Sequence, residues 1–261
     1  MHFTQISSSW LNLVERWLAD PTTLQRGSQA LRLGQTAEQI LHLIATYSDQ
    51  INEITTLGGL VSGDPALYIV TCGGRPAGDL ATYVEQIRAD GWDTCVIATP
   101  AARQFMRADR LAEASGHVVR YEYKQPDEPD VLPPPDAAIV APATFNTINK
   151  WAAGISDTLA LGLLNEAVGT GLPIIAVPFP SVALARHPAF RSNIETLRSW
   201  GIRMIFDPER HPLPTPNMGP PAAELFPWRA LMTELVHVRR ELTTVQESRG
   251  SPGQPETTPS G

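Results

Sequence analysis

The sequence is poor in the features that mark secreted, membrane-bound or nucleic-acid-binding proteins. Its 2 cysteines, Cys72 and Cys95, each lie in an apolar run, which argues against a disulfide framework and favours a reducing compartment. No apolar run approaches the length of a membrane span, and the N-terminus lacks the charged-then-apolar pattern of a signal segment. A net charge of -7 without a basic patch argues against nucleic-acid binding. We therefore expect a soluble, cytoplasmic protein that binds neither membranes nor nucleic acids.

What is present divides the 261 residues into three parts. Residues 1–62 carry apolar side chains at helical spacing, most clearly from Ile40 to Leu57, and are predicted to form a helical extension. This extension either packs on the main domain or serves as an arm for an oligomer or a partner protein. Residues 63–242 are predicted to form the main domain. Residues 243–261 are rich in Ser, Gly, Pro and Thr and are predicted to be a disordered tail.

Strand-like apolar runs and helix-like segments alternate through the main domain. The predicted strands cover residues 67–72, 92–98, 117–121, 137–140, 173–178 and 201–206. The predicted helices cover residues 80–87, 102–106, 148–155, 159–168, 188–200 and 228–241. This alternation predicts an α/β fold with a doubly wound (Rossmann- or flavodoxin-like) parallel sheet that carries helices on both faces. Residues 207–227 are rich in proline and are predicted to lack regular structure.

A polar turn in the middle of the domain is the first candidate binding site. Thr144, Asn146 and Thr147 lie in the turn that joins the predicted strand 137–140 to the next predicted helix. In an open parallel sheet, ligands bind beyond the carboxyl ends of the strands, and the free N–H groups of a helix start attract anions. The turn therefore predicts either an anion-binding site or, more simply, a helix cap.

The order of residues from Ala141 to Asp157 resembles the flavin-binding signature of the homo-oligomeric flavin-containing cysteine decarboxylases. The positions in register with that signature are Pro142, Asn146, Thr147, Lys150, Ala152, Gly154 and Asp157. The resemblance extends over residues 66–207 and does not cover the N-terminal extension. It implies a bound flavin mononucleotide (FMN) and a homo-oligomer, a trimer or a multiple of trimers, that shares the flavin site between subunits.

The resemblance also assigns residues to the FMN site. The turn after the first strand, Gly73-Gly74, corresponds to the phosphate-binding turn of the family, but Cys72-Gly73-Gly74 replaces the typical Thr-Gly-Ser. A side-chain hydroxyl on the phosphate is therefore missing, and Arg75 is the candidate for compensating charge. The predicted cofactor-binding residues are Gly73, Gly74, Arg75, Thr99, Pro142, Thr144, Phe145, Asn146 and Thr147.

The catalytic motifs of that family are not matched. Its enzymes oxidise the thiol-bearing carbon of a cysteine with the flavin and then lose CO2, using a histidine base where this sequence has Glu128 beside Asp127. Where the family has a substrate-binding asparagine, this sequence has Ser181, and the proline-rich segment lacks the family's reductive cysteine. His187 and Arg186 are nearby candidates for binding an anionic group, unless they are simply solvated residues at a helix start. The catalytic residues therefore stay open among Glu128, Asp127, Ser181 and His187.

Two function hypotheses from different classes follow. The first is an FMN-binding, flavin-dependent redox enzyme or diverged decarboxylase that acts on a peptide or small-molecule substrate other than phosphopantothenoylcysteine. The second is a non-catalytic flavin-binding module that engages a partner protein through the N-terminal helices. A nicotinamide dehydrogenase is disfavoured because the glycine fingerprint of dinucleotide folds is absent. No metal site is predicted.

Overall fold

Five parallel strands form one sheet in the order β2-β1-β3-β4-β5. A computed structural model describes residues 64–125 and 132–250, with side chains up to residue 244. The strands are β1 (Ala66–Thr71), β2 (Asp93–Ala98), β3 (Ala137–Ala143), β4 (Ile174–Pro178) and β5 (Arg203–Met204). The α-helices in the described residues are α1 (Leu80–Ala89), α2 (Ala108–Ser115), α3 (Phe145–Ala152), α4 (Leu159–Gly169), α5 (Val182–Ala185), α6 (Pro188–Ser199) and α7 (Trp228–Gly250). Short 3-10 helices cover Arg75–Gly78, Pro100–Gln104 and Pro220–Leu225.

The central strands are mostly apolar because helices cover both faces of the sheet. On one face, α1, α2 and α7 pack their apolar side chains against residues such as Ile69 and Ile139. On the other face, α3, α4 and α6 pack against residues such as Val70 and Val140. Neighbouring residues along a strand thus belong to different cores, as the alternating side-chain direction of a strand requires. The predicted doubly wound α/β fold is confirmed.

The strand order places a change of winding direction between β1 and β3. From β1 the chain crosses to β2 on one side, whereas from β3 it continues to β4 and β5 on the other. At such a point the loops after the two central strands diverge and leave a crevice beyond their carboxyl ends. The loop after β1 begins at Cys72, and the turn after β3 begins at Thr144. The fold therefore brings together two of the loops that the sequence predicts to bind a ligand.

Two predicted edge strands are shorter in the structure. The predicted strand 117–121 is reduced to a single bridge between Arg120 and Ile97, and the predicted strand 201–206 to Arg203–Met204. Val118 is 61% exposed, on a segment that lies along the outer edge of β2. Edge segments pair on one side only, so apolar residues there overstate the length of regular strand.

Helix predictions also needed correction in three places. The predicted helix 102–106 is a 3-10 helix at Pro100–Gln104, and α2 follows it without having been predicted. The proline-rich segment contains the 3-10 helix Pro220–Leu225, whose prolines occupy its first turn, where a missing N–H costs nothing. The last helix does not end near Glu241 but continues to Gly250. The predicted tail is therefore helical up to that residue, because its glycines and prolines begin only there.

Several sequence-based predictions concern residues outside the described ranges. The N-terminal extension, residues 1–62, is one of them, and the loop that contains Asp127 and Glu128 is another. Across residues 64–125 and 132–250, no helix is both long and apolar enough to cross a bilayer.

Candidate functional site

The carboxyl ends of the central strands carry most of the predicted cofactor-binding residues. The three loops involved are tied together by backbone hydrogen bonds. Cys72 N–H donates to the Pro142 carbonyl over 3.2 Å, and Thr99 N–H donates to the Thr71 carbonyl over 3.0 Å. The loops after β1, β2 and β3 therefore form one edge, as the sequence predicts for a parallel sheet.

The Gly73-Gly74 turn is closely packed against neighbouring segments. A Cβ atom on Gly73 would lie 2.9 Å from both Cβ and the carbonyl oxygen of Ala101, in the 3-10 helix after β2. A Cβ atom on Gly74 would lie 3.2 Å from Cγ of Pro142. The Gly74 N–H donates back to the Cys72 carbonyl over 2.8 Å, so this amide is already used within the turn. The glycines thus let three loops approach closely at the point where the winding direction changes.

Thr144 caps α3, as the simpler interpretation of this turn predicts. Its Oγ1 accepts the Thr147 N–H over 3.3 Å and lies 3.0 Å from the Thr147 hydroxyl. The Thr147 hydroxyl donates to Cys72 Sγ over 3.2 Å, so the hydroxyl of Thr144 is left to donate to Thr147. Thr147 is only 4% exposed, and its side chain joins the start of α3 to the end of β1. The cap and the glycine turn are therefore parts of one hydrogen-bonded unit.

Cys72 is a buried neutral thiol in this unit. Burial raises the pKa of the Cys72 thiol, and hydrogen bonds from the Thr147 hydroxyl and the Thr144 backbone amide offset only part of that effect. At neutral pH the sulfur is therefore protonated, and a thiolate nucleophile at this edge is disfavoured. In the sequence, Cys72 was noted as the residue that lacks the hydroxyl expected on the phosphate. Its contact with Thr147, 75 positions away, was not predicted.

Replacing Thr147 with valine is expected to destabilise the domain by about 1–2 kcal/mol, because two side-chain hydrogen bonds are lost at nearly constant volume. The midpoint of urea unfolding, with an unchanged denaturant slope, measures this. Thr170→Val is the matched control, since the exposed Thr170 hydroxyl bonds only to carbonyls at the end of α4. Equal midpoints for the two variants would show that the Thr147 network contributes nothing to stability.

The polar groups at this edge differ in whether they already have hydrogen-bond partners and in how exposed they are. The Thr99 hydroxyl oxygen is closed off from solvent and has no hydrogen-bond partner within the described residues. An unpartnered buried hydroxyl costs about 1–3 kcal/mol, so a partner brought by a ligand would be favourable. Arg75 and Asn146 are exposed and can reach a ligand from solvent. Phe145 is half-buried at the first position of α3.

Helices α3 and α6 bring further side chains to the same end of the sheet. Phe145 packs edge-on against the His187 ring, with 5.5 Å between centroids, and stacks on Phe190 at 5.7 Å. Asn193 Nδ2 donates to Asn149 Oδ1 over 2.8 Å, which ties the two helices together. Lys150 of the signature pairs with Asp157 and closes the turn after α3. The asparagine pair was not predicted, although both residues lie within stretches that carry the resemblance.

Two of the candidate catalytic residues have structural roles. Ser181 Oγ accepts the Leu184 N–H over 3.5 Å and caps α5. Nδ1 of His187 accepts the Ala189 N–H over 3.2 Å and caps α6, which leaves the proton of the neutral ring on Nε2. Both residues lie on the loop after β4, beside the edge described above. Asp127 and Glu128 lie outside the described residues, so their assignment stays a prediction.

The fold and this edge define a doubly wound α/β protein of the flavodoxin-like type, in which a ligand site lies at the change of winding direction. The Flavoprotein family model matches residues 68–239. The chain therefore belongs to the Flavoprotein family, as the sequence resemblance predicted.

Individual relatives cover smaller parts. A cysteine/cysteine sulfinic acid decarboxylase from an unidentified prokaryote is 40% identical over 70 residues, 27% of this chain and 19% of that protein. The coenzyme A biosynthesis bifunctional protein CoaBC of Bacillus subtilis is 34% identical over 121 residues, 44% of this chain and 29% of that protein. The chain thus spans less than a third of the length of both curated relatives. The crystal structure of HAL3 from Cryptococcus neoformans has the same fold, with a TM-score of 0.53 and 19% identity, over 71% of this chain and 100% of that one.

Proposed function

We propose that this protein binds FMN at the edge formed by the loops after β1, β2 and β3. The observation that carries the proposal is the glycine turn. A Cβ atom on Gly73 would clash with Ala101, a Cβ atom on Gly74 would press on the ring of Pro142, and the turn lies at the change of winding direction. The unpartnered Thr99 hydroxyl at the same edge supports a polar ligand there. Membership of the Flavoprotein family supports a flavin as that ligand.

Each predicted residue has a proposed part in holding FMN. The Gly73-Gly74 turn and the exposed Arg75 side chain would hold the phosphate, since the turn allows close approach and the guanidinium supplies charge. Thr99 would donate or accept one hydrogen bond. Thr144, Phe145 and Asn146, at the start of α3, would border the flavin, with Pro142 and Thr147 supporting them from beneath. When bound, the flavin supplies two-electron oxidation of a substrate carbon.

We further propose that the reaction is of the decarboxylase type, on a substrate other than phosphopantothenoylcysteine. The curated relatives support the reaction type, since one is named a cysteine/cysteine sulfinic acid decarboxylase. The capping roles of Ser181 and His187 support the altered substrate. Ser181 has no amide to bind a substrate carboxylate, and Nδ1 of His187 is already used in a hydrogen bond and is not free to act as a base. A peptide or small molecule with a carboxylate next to an oxidisable carbon is the proposed substrate class.

The visible absorption spectrum of the purified full-length protein tests the cofactor directly. We expect a yellow protein whose released flavin is FMN rather than FAD, because the edge offers one phosphate turn. If the flavin is lost on purification, the fluorescence of added FMN should be quenched when FMN binds during a titration. A colourless protein that leaves FMN fluorescence unchanged would contradict the proposal. Bleaching of the bound spectrum by a candidate substrate would then identify an enzyme.

A non-catalytic flavin-binding module is the second candidate function. It is favoured by the observation that Ser181 and His187, the candidate catalytic residues that the structure describes, both serve as helix caps. In this alternative the N-terminal extension engages a partner protein. The module would hold FMN, and no cysteine-containing peptide would bleach the absorption of the bound flavin.

Removal of residues 1–62 separates the roles open to the extension. If the extension serves a partner, the shortened protein should keep its FMN and its oligomer size in light scattering. Burial of each large apolar side chain contributes about 1.5–3 kcal/mol, so an extension that packs on the domain or between subunits cannot be removed without loss. Precipitation or dissociation to monomers would therefore show a structural role and count against the binding module. The predicted trimer, or multiple of trimers, is measured in the same experiment.

A further inference from the structure

A mixed cluster of three potential metal ligands lies at the outer edge of the sheet, away from the candidate flavin site. Nε2 of His117 lies 2.6 Å from Oδ1 of Asp93. These two atoms and Sγ of Cys95 all lie within 4.8 Å of one another. The nitrogen, oxygen and sulfur donors converge from two segments of the chain. The flavin-binding proposal uses none of them.

The fold explains why the three side chains meet. Asp93 and Cys95 are two positions apart on β2, so they project from the same face of the strand. His117 follows α2 and begins the segment that returns along the outer edge of β2, where Arg120 bridges to Ile97. The backbone of His117 is held in place by Ser115, whose Oγ accepts the His117 N–H over 3.2 Å. The histidine therefore reaches the start of β2 from a defined backbone position.

The three side chains of the cluster differ in exposure in a way that suits a bound cation. Cys95 is fully buried, whereas the side chains of His117 and Asp93 are 27% and 36% exposed. A cation can therefore reach the site from solvent and meet the sulfur beneath. Burial and the Asp93 carboxylate raise the pKa of the Cys95 thiol to about 12, so binding must displace a thiol proton. The cation compensates by adding positive charge between the two groups.

We propose that Asp93, Cys95 and His117 bind a divalent transition-metal ion of the zinc type, with a water molecule in the fourth position. A thiolate, an imidazole and a carboxylate together match the ligand preferences of Zn2+. Bond lengths of about 2.0–2.3 Å in a tetrahedral site place ligand atoms about 3.3–3.8 Å apart. Oδ1 of Asp93 and Nε2 of His117, 2.6 Å apart, must therefore separate slightly, which the partial exposure of these two side chains allows. The hydrogen-bonded Asp93–His117 pair is the metal-free form of the same site.

The site is independent of flavin binding. Asp93 begins β2 and Thr99 follows its end, a rise of about 20 Å at 3.3 Å per residue. The metal therefore lies toward the amino ends of the strands and the flavin edge toward their carboxyl ends. Failure of one proposal leaves the other standing. No metal site was predicted from the sequence, because a 3-10 helix and α2 separate His117 from Cys95 and no regular ligand spacing marks the three residues.

Titration of tag-free, full-length protein with ZnCl2 in a calorimeter tests the proposal. We expect one ion to bind per chain, and Cys95→Ser and His117→Gln to weaken binding at least roughly tenfold, since even outer-shell changes at metal sites cost 10–100-fold. His237→Gln is the matched control. His237 is a second partly exposed histidine near a carboxylate, with Nδ1 4.0 Å from Glu234 Oε2, but it lacks a nearby thiol. This variant should bind Zn2+ as the unaltered protein does.

Cobalt provides a readout that needs no variant. Co2+ bound through Cys95 should give a thiolate-to-cobalt charge-transfer band in the difference spectrum of the unaltered protein, recorded against the same sample before the addition. The band should disappear on addition of excess Zn2+. Absence of stoichiometric Zn2+ binding, absence of the thiolate band, or unchanged affinity in a folded Cys95→Ser variant would each overturn the proposal. Asp93→Asn serves as the folded variant if Cys95→Ser does not fold.

Discussion

Gly73→Ala is expected to lower FMN affinity by more than tenfold, a loss of at least about 1.4 kcal/mol. The added methyl would lie 2.9 Å from Cβ and from the backbone oxygen of Ala101, and neither atom belongs to a flexible side-chain end. The loops after β1 and β2 must therefore move apart, and the turn that is proposed to hold the phosphate moves with them. Fluorescence titration with FMN measures the effect, and thermal unfolding shows whether the variant is folded.

A graded series of glycine variants makes this test sharper. Gly74→Ala should weaken FMN binding less, because its methyl would meet only the ring edge of Pro142 at 3.2 Å. Gly169→Ala is the control, since Gly169 lies on the last turn of α4 and no atom of the described residues lies within 4 Å of the added methyl. Equal affinities across the three variants would contradict the assignment of the turn. Asn146→Asp should also weaken binding by placing a negative charge at the start of α3 beside the flavin.

Phosphopantothenoylcysteine is not expected to be decarboxylated at a useful rate by the FMN-loaded protein. A positioned general base contributes a factor of roughly 10² to 10⁴, so its absence should lower the rate of CO2 release by about that factor. By the sequence resemblance, Glu128 stands where the family has its histidine base. His187, a histidine beside the candidate site, has its Nδ1 engaged as a helix cap. Trapping of released CO2, with an active family decarboxylase as positive control, measures the rate.

Glu128→Gln decides whether the carboxylate has taken over as the base. Sustained CO2 release that is abolished by this substitution would show that Glu128 replaces the histidine rather than marking its loss. Glu122→Gln is the matched control, because Glu122 lies on the same connection and its exposed carboxylate pairs only weakly, at 3.5 Å, with Arg103. Release that persists in both variants would point to a base elsewhere in the chain.

Buried strands and the order of elements were predictable from the sequence. Residues 67–72, 137–140 and 173–178 are almost wholly apolar because helices cover them on both sides. Burial of this kind is visible in the type of each residue along the sequence. The edge segments were mispredicted for the same reason. Residues 117–121 contain apolar side chains, but solvent covers one side, and only Arg120 pairs with the sheet.

Local order also determined the polar turn at the start of α3. Thr144 precedes a helix and caps it, since a threonine side chain can satisfy an N–H two or three residues on in any sequence context. The glycines of the Gly73-Gly74 turn were likewise visible. What made them necessary was not visible, because Ala101 and Pro142 come close to them only in the folded sheet.

Contacts between distant segments were decided by tertiary structure alone. The bond from Thr147 to Cys72, the pair Asn149–Asn193 and the cluster around Cys95 join residues from different strands and helices. Each depends on the strand order β2-β1-β3-β4-β5, which follows from how the crossovers pack and not from any single segment. The sequence by itself determined which central strands are buried and which residue caps α3, since these are local effects of burial and capping. Only the assembled sheet decided which of those residues touch.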